Sequence, residues 1–261
     1  MTLPEKIRQQ IADEPYKTDD IGMSESSVLI FEDKVLKIQA CGEEAENEHL
    51  MLRHLWGKLP VPPVYSYEIQ DGRSYLLMGK CPGKMACSEE YMENPLMQVR
   101  LLADGLKKLW AIDISHSPSN WGLKRKLAQA EYNIENGLVD LDNVEPDTFS
   151  EKGFANPAAL LQWLYDNRPE EDLVLSHGDY CLPNVFGIRD RVSGYIDLGK
   201  TGIADRWCDI ALCYRSLSHN FNGKCCGKAH PGCNDLLLFR ELGLEPDWKK
   251  IRYYILLDEL F

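Results

Sequence analysis

Apolar and polar positions follow two different periods along the 261 residues, and the change falls near residue 80. In the first part the apolar positions come in short runs. Residues 28–31 and 35–38 flank the polar turn Glu32-Asp33-Lys34, and residues 64–69 and 73–78 flank Asp71-Gly72, a dipeptide that favours a tight hairpin. These runs predict strands. Two helical stretches interrupt them, a short amphipathic one over 3–12 and a longer one over 41–57. The longer one is acidic at Glu43, Glu44, Glu46 and Glu48 and apolar at Leu50, Leu52, Leu55 and Trp56. Acid ahead of apolar residues is the polarity that a helix N-terminus favours.

Residues 79–83, Gly-Lys-Cys-Pro-Gly, carry two glycines and a proline and read as a linker. They divide the chain into a small lobe over 1–78, a hinge over 79–83 and a larger lobe over 84–261. Beyond the hinge the period becomes helical. Residues 97–112 set Leu101, Leu102, Leu106, Leu109 and Trp110 near one face, which marks core. Further helices are expected over 123–136, 156–167, 205–218, 236–242 and 247–261, with an acidic, turn-rich stretch over 138–149. Two β-type runs, Leu173-Val174-Leu175 and Tyr195-Ile196, break the helical pattern. The fold class is α+β: a small β-rich N-terminal lobe ahead of a larger, mainly helical C-terminal lobe.

Charge narrows the partners. With 29 Lys and Arg against 41 Asp and Glu the formal charge is −12, which disfavours nucleic acid, whose binding rests on clustered cations. The same surface suits a polycationic small molecule. The first ten residues, MTLPEKIRQQ, hold no apolar signal-peptide core, and no apolar run approaches a membrane span. Nine cysteines, an odd number, then point to reduced thiols in a cytoplasm. Cys225, Cys226, His230 and Cys233 crowd together, but adjacent cysteines rarely ligate one ion, so they read as a loop of free thiols rather than zinc ligands.

The candidate chemistry lies over 173–199. Each β-type run there ends in a carboxylate, Asp179 and Asp197. Asn184 stands five residues after the first, and Asp197 opens a D-x-G turn. That order and spacing is the one found in a kinase catalytic loop and metal-binding loop. Lys37 alternates with Val35 on one face of its strand, and Glu48, one turn before Leu52, can turn inward to meet it. Residues 21–27, small and polar ahead of a strand, suit a loop whose backbone N–H groups cover phosphates.

The segments HGDYCLPN (177–184), GYIDLGKTGIADRWCDIA (194–211) and YYILLDELF (253–261) resemble the aminoglycoside 3'-phosphotransferases, as do GMS, VLKI, GKLPVPPV and LLM in the first lobe. The similarity spans nearly the whole chain. The HGDxxxxN set is shared by many small-molecule kinases, whereas the LLDELF ending is more specific. The resemblance implies a bilobal fold like that of protein kinases, with ATP or GTP between the lobes and Mg²⁺ as cofactor. It implies that Lys37 contacts phosphates and Glu48 holds Lys37. Met23 and Ser24 would cover the phosphates, while Gly79, Cys81 and Ile196 would border the base. Asn184 and Asp197 would hold Mg²⁺, and Asp179 would be the catalytic residue at the attacking hydroxyl. The substrate's amines would meet Asp179, Asp258, Glu259 and the α-carboxylate of Phe261, in a monomer or weak dimer without nucleic acid or membrane partners.

Three departures from the family bear on specificity. Val35 stands where relatives often stack an aromatic ring on adenine, which leaves the donor open between ATP and GTP. His219 and Asn220 replace acids, and the acidic stretch is short, with Asp142, Glu145 and Asp147 as further candidate amine contacts. Two other readings stay open: a kinase of the same fold for a non-antibiotic hydroxyl compound, and a nucleotide-binding pseudokinase.

Overall fold

The computed structural model describes residues 3–18, 26–224, 228–230 and 234–261. The first lobe runs α1 (Glu5–Ile11), β1 (Lys17–Thr18), β2 (Ser27–Ile30), β3 (Lys34–Ala40), α2 (Glu43–Leu55), β4 (Val64–Gln70) and β5 (Arg73–Gly79). Its strands form one antiparallel sheet in the order β1-β2-β3-β5-β4. Alternation along β3 sorts its side chains. Leu36 and Ile38 join Phe31, Tyr75 and Leu77 in a small core beneath α1, closed by Ile7 and Ile11. Lys37 takes the opposite face, across from Leu76. Leu76 and Met78 belong to the larger core with Met51, Leu52 and Leu55 of α2, so Lys37 and α2 share one side of the sheet.

The second lobe contains β6 (Lys84–Met85), α3 (Glu89–Met92), α4 (Pro95–Trp110), α5 (Leu123–Glu135), α6 (Pro157–Asp166), β7 (Leu173–Ser176), β8 (Val185–Ile188), β9 (Arg191–Tyr195), β10 (Gly202–Asp205), α7 (Arg206–Phe221), α8 (Leu237–Leu242) and α9 (Trp248–Asp258). The helix starts follow capping chemistry: Asn94 caps α4 and Asn156 caps α6, each followed by proline, and Asp205 and Asp247 cap α7 and α9. Two small sheets, β6-β8-β9 and β10-β7, hold the loops that carry the candidate chemistry. Among the described residues no helix is long and apolar enough to cross a membrane.

The expected helices and most of the expected strands are found, with shifts of at most three residues at their ends, but the run expected at Tyr195-Ile196 is the end of β9, which starts at Arg191 and leaves Ile196 outside. Pro95 starts α4 two residues early because proline suits the first turn. The strands β1, β6, β8 and β10 were not anticipated. Their pairing is long-range: β10 binds β7, with Gly202 opposite Ser176 and Asp205 opposite Leu173, and no periodicity in GIAD announces that.

Candidate active site

Lys37 is the meeting point of the two lobes. Its Nζ donates to Glu48 Oε2 at 2.8 Å and to Asp197 Oδ1 at 2.5 Å. Burial works to lower the Lys37 pKa, but the two carboxylates outweigh it and hold the ammonium above its ordinary value. The two acids respond differently. Glu48 is 1 % exposed, so burial pushes its carboxyl up and Lys37 offsets only part of that. For Asp197, whose side chain is half exposed, the burial effect is overcome by the Lys37 charge and the pKa is held below the usual range. Asp197 itself has a left-handed backbone, φ 63° and ψ 53°, which turns the chain sharply into the Leu198–Lys200 turn.

The second loop leaves β7 and is tied down by one carboxylate at the start of α7. Asp209 accepts hydrogen bonds from Ser176 Oγ at 2.9 Å, His177 N at 2.8 Å and Gly178 N at 2.9 Å. Burial raises the Asp209 pKa, and His177 and the donors draw it back in part. Gly178 is required where it stands: its φ is +88°, and a Cβ would lie 2.0 Å from the Lys200 carbonyl oxygen.

His177, fully buried, bridges the two loops. Its Nε2 lies 3.0 Å from the Ile196 carbonyl and its Nδ1 accepts the Asp179 N–H at 3.4 Å, which assigns the proton to Nε2. Thr201 Oγ1 adds a bond to the His177 carbonyl at 2.8 Å. Asn184 donates both to the Asp179 main-chain oxygen and to Asp179 Oδ2, each at 3.0 Å. Those bonds fix the amide so that its oxygen turns away from Asp179. Together with the half-exposed Asp197 carboxylate, this gives two hard oxygen donors, the ligand type that suits Mg²⁺ bound partly through substrate phosphates.

Toward the C-terminus a shallow cleft of only about 10 Å³ is lined by Gly178, Lys200, Leu257, Asp258 and Phe261 among others. Lys200 Nζ sits 4.7 Å from the Phe261 ring centroid. Burial works to lower the Lys200 pKa, and Glu44, Asp258, Asp179 and Asp197 together raise it above its ordinary value. Asp258 pairs with Arg215 and keeps part of its side chain in solvent. Glu259 is buried, with Oε1 3.2 Å from Arg215 Nη1 and Oε2 accepting the Glu145 N–H at 2.7 Å. Glu145 in turn accepts from Lys224 Nζ at 3.0 Å on both oxygens and from His219 Nε2 at 2.7 Å.

The structure therefore brings Lys37, Glu48 and Asp197 together, joins Asp179 to Asn184, and sets Asp258 and Phe261 along the cleft beside Gly178. It turns the Glu259 carboxylate inward. Within residues 79–83, the Gly79 N–H is taken by the Pro63 carbonyl at 2.9 Å, and burial pushes the Cys81 thiol up to about 12. Ile196 is partly exposed and its carbonyl serves His177. Met23 and Ser24, and Cys225, Cys226 and Cys233, lie outside the described residues. Sequence reasoning did not find the parts played by Asn47, Lys200 and Arg215. Lys200 follows the D-x-G turn directly and could have been found from that place; Asn47 and Arg215 carry no motif.

Comparison with known proteins bears on this arrangement. The profile of a phosphotransferase enzyme family matches residues 20–229. An aminoglycoside 3'-phosphotransferase of Enterococcus faecalis is 42 % identical over 222 residues, covering 84 % of this chain and 79 % of that protein. Among solved structures, an aminoglycoside-3'-phosphotransferase of type VIII superposes with a TM-score of 0.81 at 28 % identity, over 98 % of this chain and 97 % of the other. An aminoglycoside phosphotransferase of Streptomyces rimosus, in complex with ADP and streptomycin, shares the fold at a TM-score of 0.78 and 20 % identity, over 97 % and 95 %.

Proposed function

Because the chain belongs to the aminoglycoside 3'-phosphotransferases, within the phosphotransferase enzyme family, we propose that it moves the γ-phosphoryl group of ATP to the 3'-hydroxyl of an aminoglycoside antibiotic and so confers resistance. The observation that carries this reading is Lys37 held between Glu48 and Asp197, with Asp179 hydrogen-bonded to Asn184 on the adjoining loop.

Phosphoryl transfer asks little covalent chemistry of a protein. It needs positioning and charge neutralisation. Lys37 grips the nucleotide phosphates while Glu48 keeps its ammonium in place. The base lies against the backbone of residues 79–81, beside Ile196 and at the hinge over 79–83. Asp179 orients the attacking hydroxyl, accepting its proton as the bond to phosphorus forms. Asn184 and Asp197 would hold Mg²⁺, which supplies positive charge against the phosphate oxygens. The substrate's ammonium groups meet Asp258 beside Phe261, with Glu259 shaping the site from within. The enzyme acts in the cytoplasm as a monomer or weak dimer, and Val35 leaves room for GTP as a second donor.

A coupled phosphate-transfer assay over a panel of aminoglycosides, with ATP and with GTP, tests the reading. Turnover is expected, and Asp179→Ala is expected to lower kcat by about a thousandfold or more. If none of the aminoglycosides turned over, the weight would move to a different hydroxyl substrate. Full activity in the variant would remove Asp179 from the mechanism.

A further inference from the structure

Asp197 presents its carboxylate from a left-handed backbone, a conformation that is unfavourable for a non-glycine residue and must be held by its surroundings. The turn that follows, Leu198–Lys200, directs several carbonyl oxygens toward α2 rather than toward solvent. One side chain receives them. Asn47, 7 % exposed, aims Nδ2 at Gly199 O and Thr201 O, both at 2.9 Å, with Leu198 O at 3.4 Å. A neutral primary amide fits this place. It offers two hydrogens to converging acceptors, whereas a carboxylate would be repelled and a longer cation would not fit against a turn that already touches α2. The touch is close: a Cβ on Gly199 would lie 3.2 Å from both Cβ and O of Glu44.

The neighbour of Asn47 in the chain is Glu48, which holds Lys37, which in turn holds the Asp197 side chain. Helix α2 thus grips Asp197 twice, by its carboxylate through Glu48 and Lys37, and by the backbone that follows it through Asn47. Thr201, whose carbonyl Asn47 binds, also donates to the His177 carbonyl of the catalytic loop.

We propose that Asn47 is a positioning residue for phosphoryl transfer. It locks α2 to the metal-binding loop, so that the Lys37–Glu48 pair and the Asp197 carboxylate keep one relative geometry. The assignment rests on the phosphotransferase reading for its kinetic consequences but not for its structural one, and the two are tested separately.

In Asn47→Leu, which keeps the branched shape at Cγ without the amide, kcat should fall about 10–100-fold, the usual cost of losing a group that orients a metal ligand. The Mg²⁺ concentration for half-maximal rate should rise, and KM for the aminoglycoside should stay near that of the wild type. Asn47→Gln, which keeps the amide, should recover part of the rate. Hydrogen–deuterium exchange without substrate should show faster exchange over 197–201 in the Leu variant. If Asn47→Leu does not fold, Asn47→Ser takes its place in the same measurements. A folded variant with unchanged exchange over 197–201, or with unchanged kcat and Mg²⁺ requirement, overturns the proposal. Loss of rate that Gln does not relieve, with KM for the aminoglycoside raised equally, also overturns it, because that marks general damage. Faster exchange in a protein that turns over no aminoglycoside would leave the lock standing and remove the proposed substrate instead.

Discussion

Gly105 offers a test in which two physical effects predict opposite signs. It lies inside α4, where replacing glycine by alanine ordinarily stabilises a helix by about 1 kcal/mol. Here a Cβ would come 2.1 Å from Tyr180 Oη and 3.4 Å from Tyr195 Oη. Both rings are fully buried, and both hydroxyls are committed, Tyr180 to the Leu102 carbonyl at 2.9 Å and Tyr195 to the Gly105 carbonyl at 2.8 Å. Alanine must therefore push aside a ring in a packed core, at about 1–3 kcal/mol, and break the Tyr180 bond, at about 1–3 kcal/mol more. Set against the helix gain, Gly105→Ala should cost about 1–5 kcal/mol, a fall in Tm of about 2–10 °C for a chain of this length. The same two rings flank His177, with centroids 5.8 and 6.2 Å away, so kcat should fall as well. Thermal denaturation followed by circular dichroism reads the first effect. A double-mutant cycle sharpens it: in a Tyr180→Phe background the clashing oxygen is gone, and alanine should cost about 1 kcal/mol less or better still. A Tm that rises in Gly105→Ala, or no coupling in the cycle, would refute the reasoning.

Asp104 accepts from Lys108 at 2.8 Å and from Arg191 and the Val192 N–H at 3.1 Å; burial raises its pKa, but these donors outweigh that and hold it below the ordinary value. Its stabilising effect is therefore present above the unfolded pKa of about 3.9 and lost as pH falls through the lower folded value, so the Tm gap between wild type and Asp104→Asn should be steady at neutral pH and close on acidification. Lys224, 44 % exposed, holds both oxygens of Glu145. Lys224→Met should release Glu145 Oε2 while His219 keeps Oε1, lowering KM for a polyamine substrate by about fivefold or less, the worth of an exposed pair, with KM for ATP unchanged; a higher KM would show that Glu145 does not meet substrate.

The reaction was more legible in the sequence than the substrate site, because its signals are local. Asp179 and Asn184 are five residues apart on one loop, and alternation along β3 placed Lys37 opposite the small core. The inward turn of Glu48 followed from its position one helical turn before Leu52. Asp258 and Glu259 carry the same kind of charge in adjacent positions, and nothing local separates them. Arg215 meets both, and their different fates are decided by the Glu145 N–H, which binds Glu259 alone from 114 residues away. Asn47 is hidden for the same reason, since its partners lie about 150 residues on. The strand pairing of β10 with β7 is equally silent in GIAD.

One helix links the two halves of the site. Asp209 and Ser216 lie seven residues apart on α7, two turns along the same face. Asp209 holds the start of the catalytic loop through Ser176, His177 and Gly178, and Ser216 Oγ accepts the Leu182 N–H at 3.1 Å near its end. Arg215, turned about 100° from Ser216 on the helix, meets Asp258 and Glu259 at the end of α9 instead. The distance from Asp179 to the acids beside the C-terminus is thus set by a single rigid element with both attachments near its middle. A substitution that displaces α7 should change kcat and the aminoglycoside KM together. One confined to the last residues of the chain should change KM and leave the phosphoryl transfer itself untouched.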